Sequence, residues 1–218
     1  MKLTEVVKNK GFVITCEISS PKGVNIDELL DRSDIVKEVA DLINVGDNQR
    51  AVMRAASWAV CRILKSRGLE PVMEVCGRDR NRLAVQSDIL GAALLGIENL
   101  LLSTGYDPSV GDHAQAKAVY DLDATALVAA AHSLTEGKDI TGHALNEAPD
   151  ICYGVSATPG LDAEGENLAA LKAQLDAGAC FIQTQPVYEL ETLERFMSAV
   201  SGYNVPVVVG HVILKSAS

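Results

Sequence analysis

Apolar runs of strand length alternate along this chain with longer segments whose apolar residues recur at helical spacing. Each run ends in polar residues or glycine. The seven predicted strands are FVITCEIS (12–19), DLINVGD (41–47), PVMEVCG (71–77), NLLLSTG (99–105), ICYGVSAT (151–158), CFIQTQ (180–185) and VPVVVGH (205–211). Strand and helix alternating over a whole chain indicate a parallel sheet, and units of this number and size predict an α/β fold, the TIM-type (β/α)₈ barrel. Seven strands are identifiable, so the eighth βα unit is predicted to be missing or truncated.

Between the strands, apolar residues recur three and four positions apart, which is typical of amphipathic helices. The predicted helices span 26–39, 49–67, 80–95, 121–134, 164–178 and 189–201. Asn25 is predicted to cap the first helix, and Asp79 is expected near the start of the third. No linker or low-complexity tract interrupts the pattern, so we expect residues 1–218 to form a single barrel domain.

Composition narrows the class of protein. The chain is 48% hydrophobic but only 4% aromatic, which predicts a core of Ala, Leu, Ile and Val. A net charge of −10 without a basic cluster argues against nucleic-acid binding. The N-terminus lacks an apolar signal core, and no apolar run approaches the ~20 residues of a membrane span. With five scattered cysteines, these features predict a cytoplasmic protein outside the membrane. Because the four histidines show no ligand spacing, we expect no metal.

Glu17 is the most informative candidate residue. In such barrels the chemistry lies at the C-terminal ends of the strands. Strand alternation places Val13, Thr15 and Glu17 on one face, and if that face is inward, Glu17 stands in the mouth with little water around it. Burial there would raise its pKa and suit it to general acid chemistry near neutral pH. The alternative is a structural glutamate paired with Lys22 or with an arginine of the barrel.

Paired amides give a second signal. Gln183 and Gln185 share one face of the sixth predicted strand, and amides that both donate and accept suit the edge of a pterin or flavin ring. A buried amide network is the alternative. Asn44 and Gly46 likewise share a face of the second strand, where the glycine leaves room for a ligand or for a close backbone.

Two loops carry weaker signals. The segment GRDRNR (77–82) would suit a phosphate at a helix N-terminus, although a solvated charged turn is the commoner arrangement. The segment STGYDP (103–108) combines a threonine, a glycine and an acidic residue at a strand end. Such a composition fits a tight turn that touches a ligand.

Six segments, in this order over nearly the whole chain, resemble the methylenetetrahydrofolate reductases, in particular the short bacterial type. They are CEISSPKGVN, DNQRAVMR, LEPVMEVCGRDRNRLAVQSDILGAALLGIENLLLSTG, VYDLDA, LDAGACFIQTQPVY and VPVVVGHVILKSA. The resemblance implies a flavin-dependent reductase that converts 5,10-methylenetetrahydrofolate to 5-methyltetrahydrofolate with a hydride from flavin N5. The expected cofactor is FAD, with FMN possible, and electrons would come from NAD(P)H or a partner electron-transfer subunit. A homo-oligomer or a complex subunit is expected.

The resemblance also implies roles for individual residues. Glu17 matches the proton donor for opening of the five-membered ring at N10, and Gln185 matches a glutamine that contacts the pterin. Asp107 is the second catalytic candidate. The substrate-binding candidates are Gln183, Gln185 and Tyr188. The cofactor-binding candidates are Gly46, Asp47, Glu74, Thr104, Gly105, Tyr106, Thr158 and Gln174.

The chain departs from the family pattern at several of these positions. Gly46 stands where the family has threonine, Tyr106 where it has aspartate, and Glu74 where it often has histidine. A lysine for the flavin phosphates is replaced by Gln174, and Lys172 lies about 200° round the helix from that position. Each departure is expected to weaken flavin binding. Two alternatives therefore stay open: a flavin-free accessory or degenerate subunit of a one-carbon enzyme complex, and a pterin-binding methyltransferase barrel.

Overall fold

The computed structural model describes residues 1–213, in which seven parallel strands pair in sequence order within one sheet. The strands are β1 Thr15–Glu17, β2 Leu42–Val45, β3 Pro71–Cys76, β4 Asn99–Ser103, β5 Cys152–Ala157, β6 Ile182–Pro186 and β7 Val207–Gly210. All seven predicted strands are confirmed, although each is shorter than its apolar run. The last residues of the segment VPVVVGHVILKSA lie outside the described part of the chain.

Seven α-helices lie within the described residues. They are α1 Leu3–Lys10, α2 Asp27–Val36, α3 Ser57–Ser66, α4 Arg82–Leu94, α5 Ala124–Thr135, α6 Gly165–Asp176 and α7 Leu190–Val200. The six predicted helices correspond to α2–α7, and α1 was not predicted. None of the helices within residues 1–213 is long and apolar enough to cross a membrane.

Two predicted helix starts need correction. The helix predicted from residue 49 begins only at Ser57, because Asn48, Arg50 and Ala51 adopt positive φ angles that an α-helix does not allow. Asp79 does not start α4. It ends a 3₁₀ turn, and the helix is capped by Asn81, whose side chain accepts hydrogen bonds from two backbone N–H groups of the first turn.

The cap predicted for the first helix is displaced by one residue, because the N-cap of α2 is Ile26 and Asn25 precedes it. Asn25 Oδ1 accepts a hydrogen bond of 2.8 Å from the backbone N–H of Asp27, the first residue of α2. This bond satisfies one of the N–H groups that a helix leaves without an internal partner.

The sheet curls into a nearly closed barrel of the TIM type. Asn44 on β2 donates a hydrogen bond of 2.7 Å to Gln183 on β6, although these strands are four positions apart in the sheet. In a flat sheet they would be separated by about 19 Å, at about 4.8 Å per strand. The interior contains one apolar cluster drawn from α1 and the strand starts, with Leu3, Val6, Leu42, Val72, Leu101, Cys152 and Phe181 as its buried members.

Helix α1 covers the N-terminal end of this barrel. Its first residue, Leu3, is fully buried and donates its backbone N–H to Asn99 Oδ1 at 2.7 Å, at the start of β4. Lys2 contacts Asp150, just before β5. A second, larger core lies between the sheet and α2–α7 and consists mainly of Ile, Leu, Val and Ala side chains, as the composition predicted.

The sheet has two edges, β1 and β7, and we call the gap between them the seam. Within residues 1–213, no strand pairs with the free side of either edge. Apolar side chains are exposed along both edges, with Phe12 72% and Ile14 43% exposed beside β1 and Val209 43% exposed on β7. The part of the chain that the structure describes therefore contains seven strands, where a complete TIM-type barrel has eight.

Candidate functional site

Two layers of polar side chains fill the barrel near the C-terminal ends of its strands. Side chains in such layers come from alternate strands, because the strands are tilted and staggered by about one residue per strand. The Asn44–Gln183 bond follows this stagger and defines the deeper layer. Asn44 is paired with Glu17 on β1 and with Val72 on β3, and Glu74 follows Val72 by two residues on the same face. With the stagger of about one residue per strand, Glu17 and Glu74 lie together in the layer above Asn44.

Asn44 is almost completely buried, with 2% of its surface exposed. Its Nδ2 donates to Gln183 Oε1, so the amide network considered for Gln183 is present. The Oδ1 atom of Asn44 has no hydrogen-bond partner among the described residues. An unpaired buried carbonyl of this kind costs about 1–3 kcal/mol, so the site favours a ligand that supplies an N–H group.

Glu74 is the carboxyl whose protonation the barrel alters most clearly. Its pKa is raised to about 7, mainly by burial and in addition by the neighbouring carboxylates of Glu17 and Asp47. This side chain was predicted to bind a cofactor, but the same environment suits an acid or base near neutral pH. A single glutamate within the otherwise apolar strand PVMEVC is the sequence signal that could have found this role.

Glu17 lies at the mouth as predicted, but the expectation that little water surrounds it is wrong. The residue is exposed, because β1 is an edge strand beside the seam. The alternative pairing with Lys22 is also absent, since the Lys22 ammonium contacts Asp112 instead. Within residues 1–213, Glu17 makes no ion pair.

The other substrate candidates lie higher in the mouth. Gln185 is exposed near the end of β6, where the pairing with β7 becomes irregular between Gln183 and Pro186. Tyr188 is 55% exposed and donates its hydroxyl to the Val212 carbonyl at 3.0 Å. Its ring meets His211 edge-on, with 5.8 Å between ring centroids. Tyr188 therefore ties the loop after β6 to the chain that follows β7.

The turn after β4 brings its backbone close to β3. Gly105 has φ +82°, and a Cβ at this position would stand 2.1 Å from the Cys76 sulfur, so only glycine fits. Thr104 accepts the backbone N–H of Arg78 with its carbonyl. Tyr106 projects outward and is 56% exposed.

Asp107 has a local structural partner. Its side chain accepts a hydrogen bond of 2.9 Å from the Ser109 backbone N–H and caps the short 3₁₀ turn Pro108–Val110. Hydrogen bonding to Ser109 lowers the pKa of Asp107, so this exposed carboxyl is ionised at neutral pH.

Buried ion pairs occupy the charged loop after β3. Asp47 is 5% exposed, accepts the Cys76 backbone N–H at 2.9 Å and contacts Arg80 at 2.5 Å. Arg78 is 3% exposed and pairs with Asp79. The interpretation of 77–82 as a solvated turn is therefore wrong for these arginines, and the carboxylates take the positions that a phosphate would need.

The remaining cofactor candidates lie apart from one another. Gly46 follows β2, and a Cβ there would meet the flexible Gln49 side chain. Thr158 donates its backbone N–H to Asp162 at the end of β5. Gln174 is buried near the end of α6, where its amide donates to the Ala170 carbonyl at 3.3 Å. Because α6 returns the chain to the start of β6, Gln174 lies toward the opposite end of the barrel.

A cavity of about 740 Å³ opens beside the mouth, after β1. The sequence did not predict it. Its walls include Ser20, Lys22 and Arg54, and Arg54 donates to the Ser20 carbonyl at 2.9 Å. The Ser20 hydroxyl is buried and has no partner among the described residues.

A flavin fits part of this arrangement. The turn Thr104–Tyr106 is exposed at Tyr106 and can flank an isoalloxazine ring, whereas the space beside Gly46 is filled by the flexible Gln49 side chain. The cationic side chains that follow β3 are not free to bind the flavin phosphates. The arginines that follow β3 are each paired with a carboxylate, as Arg80 is with Asp47 and Arg82 is with Asp121.

Comparison with known proteins identifies the family. The family model described as methylenetetrahydrofolate reductase matches residues 2–218. The chain belongs to the methylenetetrahydrofolate reductase family. This membership makes it a relative of folate oxidoreductases and confirms the resemblance inferred from the sequence segments. A search of curated protein sequences finds no match.

Solved structures show the same fold as this reductase-family chain at low sequence identity. An uncharacterized protein from Clostridium thermocellum that binds two copies of 5-methyl-5,6,7,8-tetrahydrofolic acid has a TM-score of 0.60 at 16% identity, over 95% of this chain and 68% of its own. A 2,3-dimethylmalate lyase has a TM-score of 0.60 at 15% identity, over 99% and 74%. An oxaloacetate acetylhydrolase has a TM-score of 0.61 at 14% identity, over 99% and 74%.

Proposed function

We propose that this protein binds a reduced folate in the barrel mouth and converts 5,10-methylenetetrahydrofolate to 5-methyltetrahydrofolate with the help of a flavin. The observation that carries the proposal is a carboxyl pair, Glu17 and Glu74, placed directly above an amide pair, buried Asn44 and half-buried Gln183, in a barrel of this family. The solved relative that binds a methylated tetrahydrofolate supports the same ligand class. A bound flavin supplies the hydride.

The polar side chains of the mouth suit the pterin ring. Its N–H and carbonyl groups match amides that both accept and donate, which Gln183 and Gln185 provide, and the exposed face of Tyr188 can pack on the ring. The methylene bridge opens only when N10 receives a proton. Family resemblance gives that role to Glu17, which the structure leaves exposed at the mouth.

Residues on the neighbouring strand ends suit the flavin ring. Thr104, Gly105 and Tyr106 form the turn that can flank it, and the flexible Gln49 side chain, which fills the space beside Gly46, would have to move aside. Asp107, ionised in the same loop, adds negative charge near that position. FAD is the proposed cofactor, with FMN as the variant. Electrons come from NAD(P)H or from a partner subunit, in a cytoplasmic homo-oligomer or complex.

A second candidate function is a flavin-free folate-binding subunit of a one-carbon enzyme complex. One observation favours it: the arginines after β3 are already neutralised by carboxylates. The position expected to meet the flavin phosphates, Gln174, is buried toward the other end of the barrel. Under this proposal the folate site is kept and the hydride chemistry is lost.

The test begins with the purified chain. We expect it to take up FAD or FMN with a visible flavin spectrum, to bind 5-methyltetrahydrofolate in calorimetry, and to reduce the methylene folate when the flavin is reduced. Gln185→Ala should weaken folate binding about tenfold or more, since it removes a hydrogen-bonding group worth about 1.5 kcal/mol. Asn146→Ala, which removes an exposed amide from the loop before β5, is the matched control.

The outcomes separate the two functions. Folate binding without flavin uptake favours the accessory subunit and rejects the reductase. Absence of folate binding rejects both proposals, because each depends on the same mouth.

A further inference from the structure

Three side chains on neighbouring strands form a unit that the proposed roles do not yet explain. Strand β2 lies between β1 and β3, and on its inner face Asn44 stands in register with Glu17 on one side. Glu74 lies on the other side, in the same layer as Glu17. Buried Asn44 Oδ1 has no partner among the described residues. A ligand N–H that reaches this oxygen is therefore flanked by two carboxyls.

The two carboxyls differ in their contact with water. Glu74 is largely enclosed, and its backbone carbonyl is held by the Ser57 hydroxyl of α3 at 3.0 Å, which fixes the strand behind it. Glu17 is exposed at the seam. A proton can therefore reach Glu17 directly from solvent, whereas the route to Glu74 passes the mouth.

Charged and titratable groups around Glu74 favour its neutral form. Burial raises the pKa of Glu74 to about 7, with Glu17 on β1 and Asp47 after β2 acting in the same direction. Asp47 is already committed to Arg80 at 2.5 Å. Behind β3, burial and the proximity of Glu74 raise the pKa of the Cys61 thiol on α3, which stays neutral. On β4 the residue paired with Glu74 is apolar Leu101.

We propose that Glu74, rather than Glu17, holds the proton that a reduced folate receives at N10, and that Glu17 returns a proton from solvent to Glu74. This inference rests on the folate site of the proposed function. In the step, the Glu74 carboxyl O–H gives its proton to N10 while the bond between N10 and the methylene carbon breaks. The electron pair of the broken bond stays on N10.

The charge balance of this step suits the site. The methylene carbon remains attached to N5 as a cationic iminium, and Glu74 becomes a carboxylate. Two carboxylates, Glu74 and Glu17, then face the new positive charge, so the product of proton transfer is stabilised by attraction. Reloading of Glu74 through exposed Glu17 completes the cycle. The methylene carbon is thereby prepared to accept a hydride.

The pH dependence of the reduction rate in Glu74→Gln and Glu17→Gln tests which glutamate donates the proton. Glu74→Gln keeps shape and removes the proton, so the rate of methylene-folate reduction should fall on the order of 10²–10⁴-fold, with folate affinity nearly unchanged. Glu17→Gln removes a repelling charge and lowers the pKa of Glu74, so activity should persist at acidic pH while the falling limb of the profile moves to lower pH. Exposed Glu147→Gln is the matched control.

A second readout does not need turnover. Infrared difference spectra of the chain should show a protonated carboxyl near neutral pH that Glu74→Gln abolishes and that Glu17→Gln shifts to lower pH. Loss of activity at every pH in Glu17→Gln, with Glu74→Gln still active, overturns the proposal. So does a carboxyl spectrum that Glu74→Gln leaves unchanged. Failure of the unsubstituted chain to bind folate instead removes the proposed function itself.

Discussion

The two ends of the barrel each bury an asparagine, but only one of the two side chains is fully paired. At the N-terminal end, Asn99 Oδ1 accepts the Leu3 N–H at 2.7 Å, and its Nδ2 donates to the Met1 carbonyl at 3.0 Å. At the mouth, Asn44 donates to Gln183, and its Oδ1 has no partner among the described residues. One end is completed by the chain itself, and the other leaves an acceptor for a ligand.

The surroundings of the two asparagines differ in the same way. Near Asn99, Leu3 and Val6 of α1 pack against the apolar strand starts. Near Asn44, Glu74 is enclosed beside a second carboxyl. Apolar burial at the first end stabilises the fold, whereas an unpaired acceptor and a buried carboxyl at the second lower its stability. The N-terminal end therefore contributes stability, and the mouth is where we propose that the chemistry takes place.

The largest effect is expected when the N-terminal end is opened. Leu3→Ala removes a fully buried side chain of the inner cluster and should lower the free energy of unfolding by about 2–5 kcal/mol. Denaturant unfolding measures the change. Leu94→Ala, at a position 89% exposed, is the control and should change stability by less than about 0.5 kcal/mol. Equal losses in both variants would show that α1 does not close the barrel.

At the mouth, the next effect depends on pH. Unfolded Glu74 ionises near its ordinary pKa of 4.5, whereas in the folded chain the pKa is raised to about 7. The folded state therefore binds more protons over this range, and stability falls as pH rises from about 4.5 to about 7. Glu74→Gln removes this dependence, so it should stabilise the protein by a few kcal/mol at pH 8 and by little at pH 4.

Unfolding of the parent chain and of Glu74→Gln at both pH values checks this prediction. Glu147→Gln, which changes an exposed glutamate, should show no pH-dependent difference from the parent. A Glu74→Gln variant that is less stable than the parent at pH 8 contradicts the assignment of Glu74 as a destabilising buried carboxyl.

Much of the fold was predictable because the apolar pattern reports which faces are buried. Strand alternation also placed Gln183 and Gln185 on one face and Asn44 and Gly46 on another, and the structure turns Asn44 and Gln183 inward. The bond between them was not predictable. It depends on the stagger of β2 against β6, which is a property of the whole sheet and leaves no local trace in either strand.

Other features escaped prediction for identifiable reasons. Helix α1 is only eight residues long, with Leu3 and Val6 as its buried residues, so its periodicity is too short to detect. Glu17 was expected to be shielded, but its exposure follows from the position of β1 at the sheet edge. Gln174 was assigned by resemblance alone, and its place near the end of α6 takes it away from the strand ends.

The smallest expected effect is the difference in stability between Asn99→Ala and Asn44→Ala. The two substitutions remove the same atoms, one at each end of the barrel. Removal of the Asn99 amide leaves the Leu3 N–H without its acceptor in a buried position, so stability should fall by about 1–3 kcal/mol. Removal of the Asn44 amide also removes an unpaired buried oxygen, and the half-buried Gln183 can bind water from the mouth. Its effect on stability should be smaller, within about 1 kcal/mol.

For folate binding, we expect Asn44→Ala to have the larger effect and Asn99→Ala the smaller. Asn44→Ala should weaken binding of 5-methyltetrahydrofolate, because the ligand loses its acceptor at the base of the mouth. Asn99→Ala, measured below its unfolding temperature, should bind as the parent does, since Asn99 lies at the other end of the barrel. Calorimetry on the two variants ranks their folate affinities, and denaturant unfolding ranks their stabilities. If Asn44→Ala loses more stability than Asn99→Ala and keeps its folate affinity, the division between the two ends is wrong.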